Sequence, residues 1–148
     1  MPTRDFTISQ VDWEQCKSLL RAIRESVFIV EQGVPKALEW DDEDASALHV
    51  LATDSDGNGI GTGRITQVGQ IGRMAVVAEW RNLGVGSALL TQLLRTAHAD
   101  GRNPLFLNAQ KAAIAFYLRH GFHCVGEEFM EAGIVHQRME QDPRRSRA

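Results

Sequence analysis

Long apolar runs are absent from this 148-residue chain. None approaches the about 20 consecutive apolar residues that a spanning helix needs, so no transmembrane helix is expected. No apolar segment follows the opening Met1-Pro2-Thr3-Arg4-Asp5, so no secretory signal is expected there. Cysteine is scarce: Cys16 and Cys124 lie far apart and form no Cys-x-x-Cys pair, which excludes a zinc ribbon and a disulfide framework. A basic surplus is also lacking. The formal net charge is −3, which argues against a nucleic-acid binder. Neither an internal repeat nor a Pro/Gly/Ser-rich linker divides the chain, so residues 1–140 read as one domain. Residues 141–148 form a basic tail expected to be disordered. A reduced, cytoplasmic protein is the expectation these absences leave.

What is present is a regular alternation of strand and helix signals. Phe6-Thr7-Ile8 reads as a strand, and Asp12 with Gln15 is a capping pair that starts a helix. Cys16, Leu20, Ile23 and Val27 give that helix one apolar face up to about Phe28, before Gly33 and Pro35 end it. Leu38 to Asp44 is acidic and reads as a loop. Strand runs follow at 48–52, 60–68 and 71–77, separated by Asx/Gly turns. Leu89, Leu93 and Ala97 then mark an amphipathic helix stopped by Asp100-Gly101. A strand at 104–108, a short helix at 112–120 and strands at 122–129 and 134–139 complete the chain. The order β-α-β-β-β-α-β-α-β-β predicts an α/β (α+β) fold, a mixed and mostly antiparallel sheet with helices on both faces.

The sharpest feature is the turn Arg81-Asn82-Leu83-Gly84-Val85-Gly86-Ser87 between a strand and a helix. The first N–H groups of a helix lack internal partners, and the helix dipole puts about half a positive charge there. Glycines let backbone approach a diphosphate, and Arg81 adds a cation. No Gly-Lys pair exists, which excludes a P-loop. Leu89 stands where a Rossmann fingerprint wants its third glycine, and the preceding strands read as antiparallel.

Arg81-Asn82-Leu83-Gly84-Val85-Gly86 satisfies Arg/Gln-x-x-Gly-x-Gly/Ala, and here the chain resembles the GNAT acetyltransferase superfamily. The strand Arg73 to Val77, the helix after the turn, the strand ending in Asn108 and the Phe116-Tyr117 to Gly121-Phe122 segment match that family's order. Val27-Phe28-Ile29-Val30-Glu31-Gln32-Gly33-Val34-Pro35 and His136-x-x-Met139 resemble a bacterial subgroup of ElaA-like and YjcF-like proteins. Ala78 and Asn82 depart from the common Pro and Gly of the family, and neither removes a donor.

The resemblance implies acetyl transfer from acetyl-CoA directly to a primary amine in a ternary complex. It also permits a non-catalytic acyl-CoA sensor or assembly module on the same turn. It implies that the backbone of Met74, Ala75 and Val76 holds the pantetheine arm and supplies an oxyanion donor. Arg81, Asn82, Leu83, Gly84, Val85, Gly86 and Ser87 would cradle the pyrophosphate. Asn108 is either a second pantetheine contact or a satisfied strand-end amide. Tyr117, the one tyrosine, occupies the family's general-acid position. His136, Glu31 and Glu79 are candidates for the base, and the sequence does not choose among them. A small-molecule or peptide amine is the implied partner. No nucleic acid or membrane partner is expected, and exposed sheet edges are compatible with a homodimer.

His120, His123 and Cys124 offer too few ligands for a closed zinc site, and no metal is expected. The acidic run Glu39 to Asp44 reads as a solvated loop, or as a lure for a cationic amine.

Overall fold

Asp12 caps the first helix as its spacing to Gln15 predicts: its carboxylate accepts the Gln15 N–H at 3.2 Å. In the computed structural model, which describes residues 4–142, the strands are β1 (Phe6–Val11), β2 (Leu48–Asp54), β3 (Gly59–Ile65), β4 (Gln70–Val76), β5 (Phe106–Gln110), β6 (Phe122–Cys124), β7 (Phe129–Glu131) and β8 (Ile134–Gln141). The helices are α1 (Trp13–Arg24) with a π-helical extension (Glu25–Glu31), α2 (Lys36–Glu39), α3 (Val85–Ala99) and α4 (Ile114–Leu118). No helix of the described residues is long and apolar enough to cross a membrane. Most of the basic tail, residues 143–148, lies outside the described residues, although Gln141 still belongs to β8.

All eight strands join one sheet in the order β1-β2-β3-β4-β5-β8-β6, with β7 also pairing β8. Only β4 and β5 run parallel; every other pair is antiparallel. The expected mixed, mostly antiparallel sheet is therefore the one observed. Leu89, Leu90, Leu93 and Ala97 of α3 are buried on one face against Val50, Ile60, Ile71 and Leu107. Trp13, Leu20, Ile23 and Val27 cover the other face against Leu51 and Ala75. Glycines in β3 let α3 come this close. A Cβ at Gly61 would stand 2.9 Å from Leu89, and one at Gly63 would stand 2.8 Å from Leu93.

Three expectations need correction. The first helix does not stay α-helical to Phe28: after Arg24 it widens, and the Gln32 N–H reaches back five residues to the Val27 carbonyl at 3.1 Å. Val27, Ile29 and Val30 are β-branched and crowd a tight α-turn, which favours the wider one. The strand expected at 122–129 is two, because the chain breaks around Gly126, whose φ is +74°. The segment 38–44 is a solvated loop only at Asp41, Asp42 and Glu43. It begins inside α2, and Glu39 and Asp44 are buried.

Candidate active site

The β4–β5 ladder has only two pairs, Gln70↔Phe106 and Ile71↔Leu107. Beyond them a cleft of about 540 Å³ opens, with Met74, Asn108, Gln110, Tyr117 and His136 in its lining. A bulge in β4 shapes one wall. Thr62 pairs Ala75 and Arg64 pairs Gly72, so Arg73 and Met74 together oppose Gly63. Arg73 adopts φ +52°, and its carbonyl accepts the Thr62 hydroxyl at 2.8 Å. The extra residue resets the strand's alternation. Met74 and Val76 turn to the α3 side with Ile71, while Ala75 turns to the α1 side. Two residues facing one also leave backbone groups outside the ladder, free to meet a ligand.

The glycine turn follows β4. Asn82 (φ +63°) and Gly84 (φ +87°) both adopt left-handed backbone, and Gly84 precedes α3 with no side chain capping the helix. The N–H groups of Val85, Gly86 and Ser87 at the start of this 15-residue helix lack intrahelical acceptors. A Cβ at Gly86 would reach the Phe116 ring at 3.6 Å, so the turn lies close to α4. This concave row of donors at a helix N-terminus fits a diphosphate.

Arg81 is not the free cation that the sequence suggested. Its Nε donates to the Val76 carbonyl at 2.9 Å, and its two terminal nitrogens donate to Glu31 Oε2 and Oε1, each at 2.6 Å. Those bonds hold the Glu31 carboxyl below its ordinary pKa and raise that of Arg81. Glu31 thus has less proton affinity than a base near neutrality requires. Glu79 is not among the cleft-lining residues; its backbone carbonyl accepts from Arg4 at 2.9 Å.

His136 and Tyr117 approach the cleft from opposite faces. Tyr117 belongs to the α3-side core and is buried, which raises its hydroxyl pKa. His136 pairs directly with Gln110 across the β5–β8 ladder. Side chains in such a pair share a face, so both lie opposite Leu107 and Ala109, which point into the α3-side core. Asn108 shares their face and is half-buried. The His136 Nδ1 lies 2.8 Å from the Ile134 carbonyl, which can only accept, so the neutral ring keeps its proton there and carries a lone pair on Nε2. That Nε2 is 3.8 Å from Glu131, and the ring stacks on Phe129. Gln110 and Gln32 exchange amide hydrogen bonds of 2.8 and 3.2 Å.

Beyond them Glu39, Asp41 and Asp44 of the acidic run are paired internally with arginines, while Asp42 and Glu43 stay exposed. Arg24, 1% exposed, donates to Glu39 at 2.7 Å and Asp44 at 2.8 Å, beneath Trp40. Arg64 donates to Asp41 at 2.6 and 2.8 Å and to Asp44 at 2.7 Å. Arg73 of the bulge donates to Asp41 at 3.0 Å and to the Glu39 carbonyl at 3.0 Å. These carboxylates hold the bulge to α2 and are not a free lure for cations. Burial pushes Asp41 up, yet Arg64 and Arg73 hold it down at about 2.

Sequence reasoning missed Gln110, Glu131 and the bulge. Gln110 was legible in principle, since it shares a strand face with Asn108. Glu131 falls between the strands expected at 122–129 and 134–139 and closes β7, and the bulge has no glycine at its left-handed position to announce it.

A family model for an acetyltransferase (GNAT) domain matches residues 7–142. The uncharacterized N-acetyltransferase YjcF of Bacillus subtilis (strain 168) is 35% identical over 124 residues, covering 81% of this chain and 88% of that one. The crystal structure of Escherichia coli ElaA superimposes with a TM-score of 0.82 at 26% identity, over 93% of this chain and all of that one, 100%. An acyl-CoA N-acyltransferase structure from Pseudomonas aeruginosa gives 0.78 at 29% identity, over 93% and 99%.

Proposed function

This chain belongs to the GNAT acetyltransferase family, and from that premise we propose that it moves an acetyl group from acetyl-CoA directly to a primary amine. The observation that carries the reading is the cleft itself: two strands part beside a helix N-terminus, with an acid and a base candidate on opposite faces of the sheet. Acetyl-CoA, when bound, supplies an activated thioester. The N–H groups from Val85 to Ser87 would bind its diphosphate, and the backbone of Met74, Ala75 and Val76, with Asn108, would hold the arm.

His136 Nε2 takes the proton that the acceptor ammonium must lose before it can attack. Glu131 stands where it would steady the resulting imidazolium. A backbone N–H at the bulge donates to the carbonyl oxygen as charge develops there. Tyr117, whose raised pKa keeps its hydroxyl protonated, donates to the departing sulfur. No cysteine takes part: Cys124 is exposed on β6, and Cys16 lies on α1.

Thermal-shift measurements with acetyl-CoA, CoA, NAD and ATP test the reading. A ligand at 100 times its dissociation constant stabilises by about 2.7 kcal/mol. For a domain of this size that raises Tm by roughly 5–11 °C. Acetyl-CoA and CoA should produce the shift and NAD and ATP should not; the reverse preference overturns the proposal.

A further inference from the structure

The stretch Val27 to Pro35, set apart by its sequence, carries at its middle two consecutive residues, Glu31 and Gln32, that grip both sides of the parted strands. Glu31 holds Arg81, whose Nε is bonded to the last carbonyl of β4. Gln32 holds Gln110, the last residue of β5. The ladder between these strands ended at Ile71↔Leu107, so side chains from the π-helical turn bridge the gap that backbone hydrogen bonds leave. The wide turn brings Phe28 and Gln32 into the lining of the cleft, and Gly33 at φ +74° follows it.

The two arms of this strap differ in strength. Glu31–Arg81 is a bidentate ion pair with two 2.6 Å bonds. Gln32–Gln110 is a pair of neutral hydrogen bonds, each of the kind whose net worth is small because water replaces it. The amide clasp is therefore the weaker arm. It also sits beside His136, since Gln110 and His136 are direct ladder partners on one face, whereas Tyr117 and the start of α3 lie on the other.

We propose that the Gln32–Gln110 clasp is an acceptor-side gate. Closed, it covers His136 and screens the thioester from water; open, it admits the amine. The inference rests on the acyl-transfer reading above. The wasteful reaction it restrains is hydrolysis, in which a water oxygen bonds to the acetyl carbon, the C–S bond breaks, the sulfur takes a proton and acetate leaves.

The test uses the full chain and Gln32→Ala, which opens the clasp but leaves Gln110 in place, with the similarly shaped Gln32→Met as a second variant. Without any ligand, diethyl pyrocarbonate modification of His136 is followed by mass spectrometry, with the exposed His123 as internal reference. CoA affinity and acceptor-free acetyl-CoA hydrolysis are then measured. Modification of His136 and hydrolysis should each rise about tenfold, the factor by which losing a weak two-bond clasp shifts an open–closed equilibrium. His123 reactivity and CoA affinity should stay within about twofold, well under that tenfold shift. An unchanged His136 rate in either folded variant overturns the gate. So does a loss of CoA affinity, which would assign the clasp to the cofactor site. Failure of the unmutated chain to bind acetyl-CoA overturns the acyl-transfer reading instead, whatever His136 does.

Discussion

Glu31 takes both terminal nitrogens of Arg81 at 2.6 Å, so the cation nearest the glycine turn is already neutralised by the chain itself. Glu31→Gln should leave that guanidinium with surplus charge and tighten CoA binding severalfold, with the gain shrinking as salt rises. Calorimetry across ionic strengths reads this out. Unchanged affinity would make Arg81 a brace for the end of β4 and nothing more.

Tyr117→Phe keeps the buried ring and removes the hydroxyl. Turnover should fall by about 10²-fold, the lower range for losing a general acid, while acetyl-CoA affinity is unchanged. Equal turnover in both proteins would remove Tyr117 from the chemistry and favour water as the proton donor.

Gly84→Ala forces a Cβ onto left-handed backbone at the base of α3. The strain is about 1–2 kcal/mol, which for a chain of this length lowers Tm by roughly 2–8 °C. CoA affinity should fall as well, because the donors of Val85 and Gly86 move with the turn. Melting curves with and without CoA separate the two effects.

Acid should destabilise the fold through Asp41. Its folded pKa is about 2 against an ordinary 3.8, so its contribution is present above the ordinary value and is lost as pH falls toward 2. Asp44, also held low, acts in the same sense. His49 adds an earlier loss. Burial lowers its pKa, so stability drains as pH falls through 6.5 and the unfolded chain takes up a proton that the fold resists. Denaturation curves from pH 7 to 2 should show both phases, with the lower one flattened in Asp41→Asn.

The architecture was legible where one residue decides the local outcome. Asp12 caps a helix, Gly84 turns a strand into one, and the 89/93/97 spacing puts α3 on the sheet. The cleft-lining residues Met74, Asn108, Tyr117 and His136 could be named because a motif fixes their order along the chain. What could not be read depends on partners distant in sequence. Glu39 and Asp44 look solvated until Arg24 and Arg64, some 15 to 20 residues away, supply opposite charges. Arg81 looks free until Glu31 arrives from 50 residues upstream. The bulge at Arg73 arises from a mismatch with β3 that no local pattern encodes.

The sheet is, in effect, two four-stranded leaves bound along a spine only two residue pairs long. A book sewn with so few stitches flexes at its spine. A ligand arm laid in the gap would act as the absent thread, knitting one leaf to the other through its own amides. Free and loaded forms should then differ more in stiffness than in shape, and amide exchange in β5 and β8 is where the tightening would be felt.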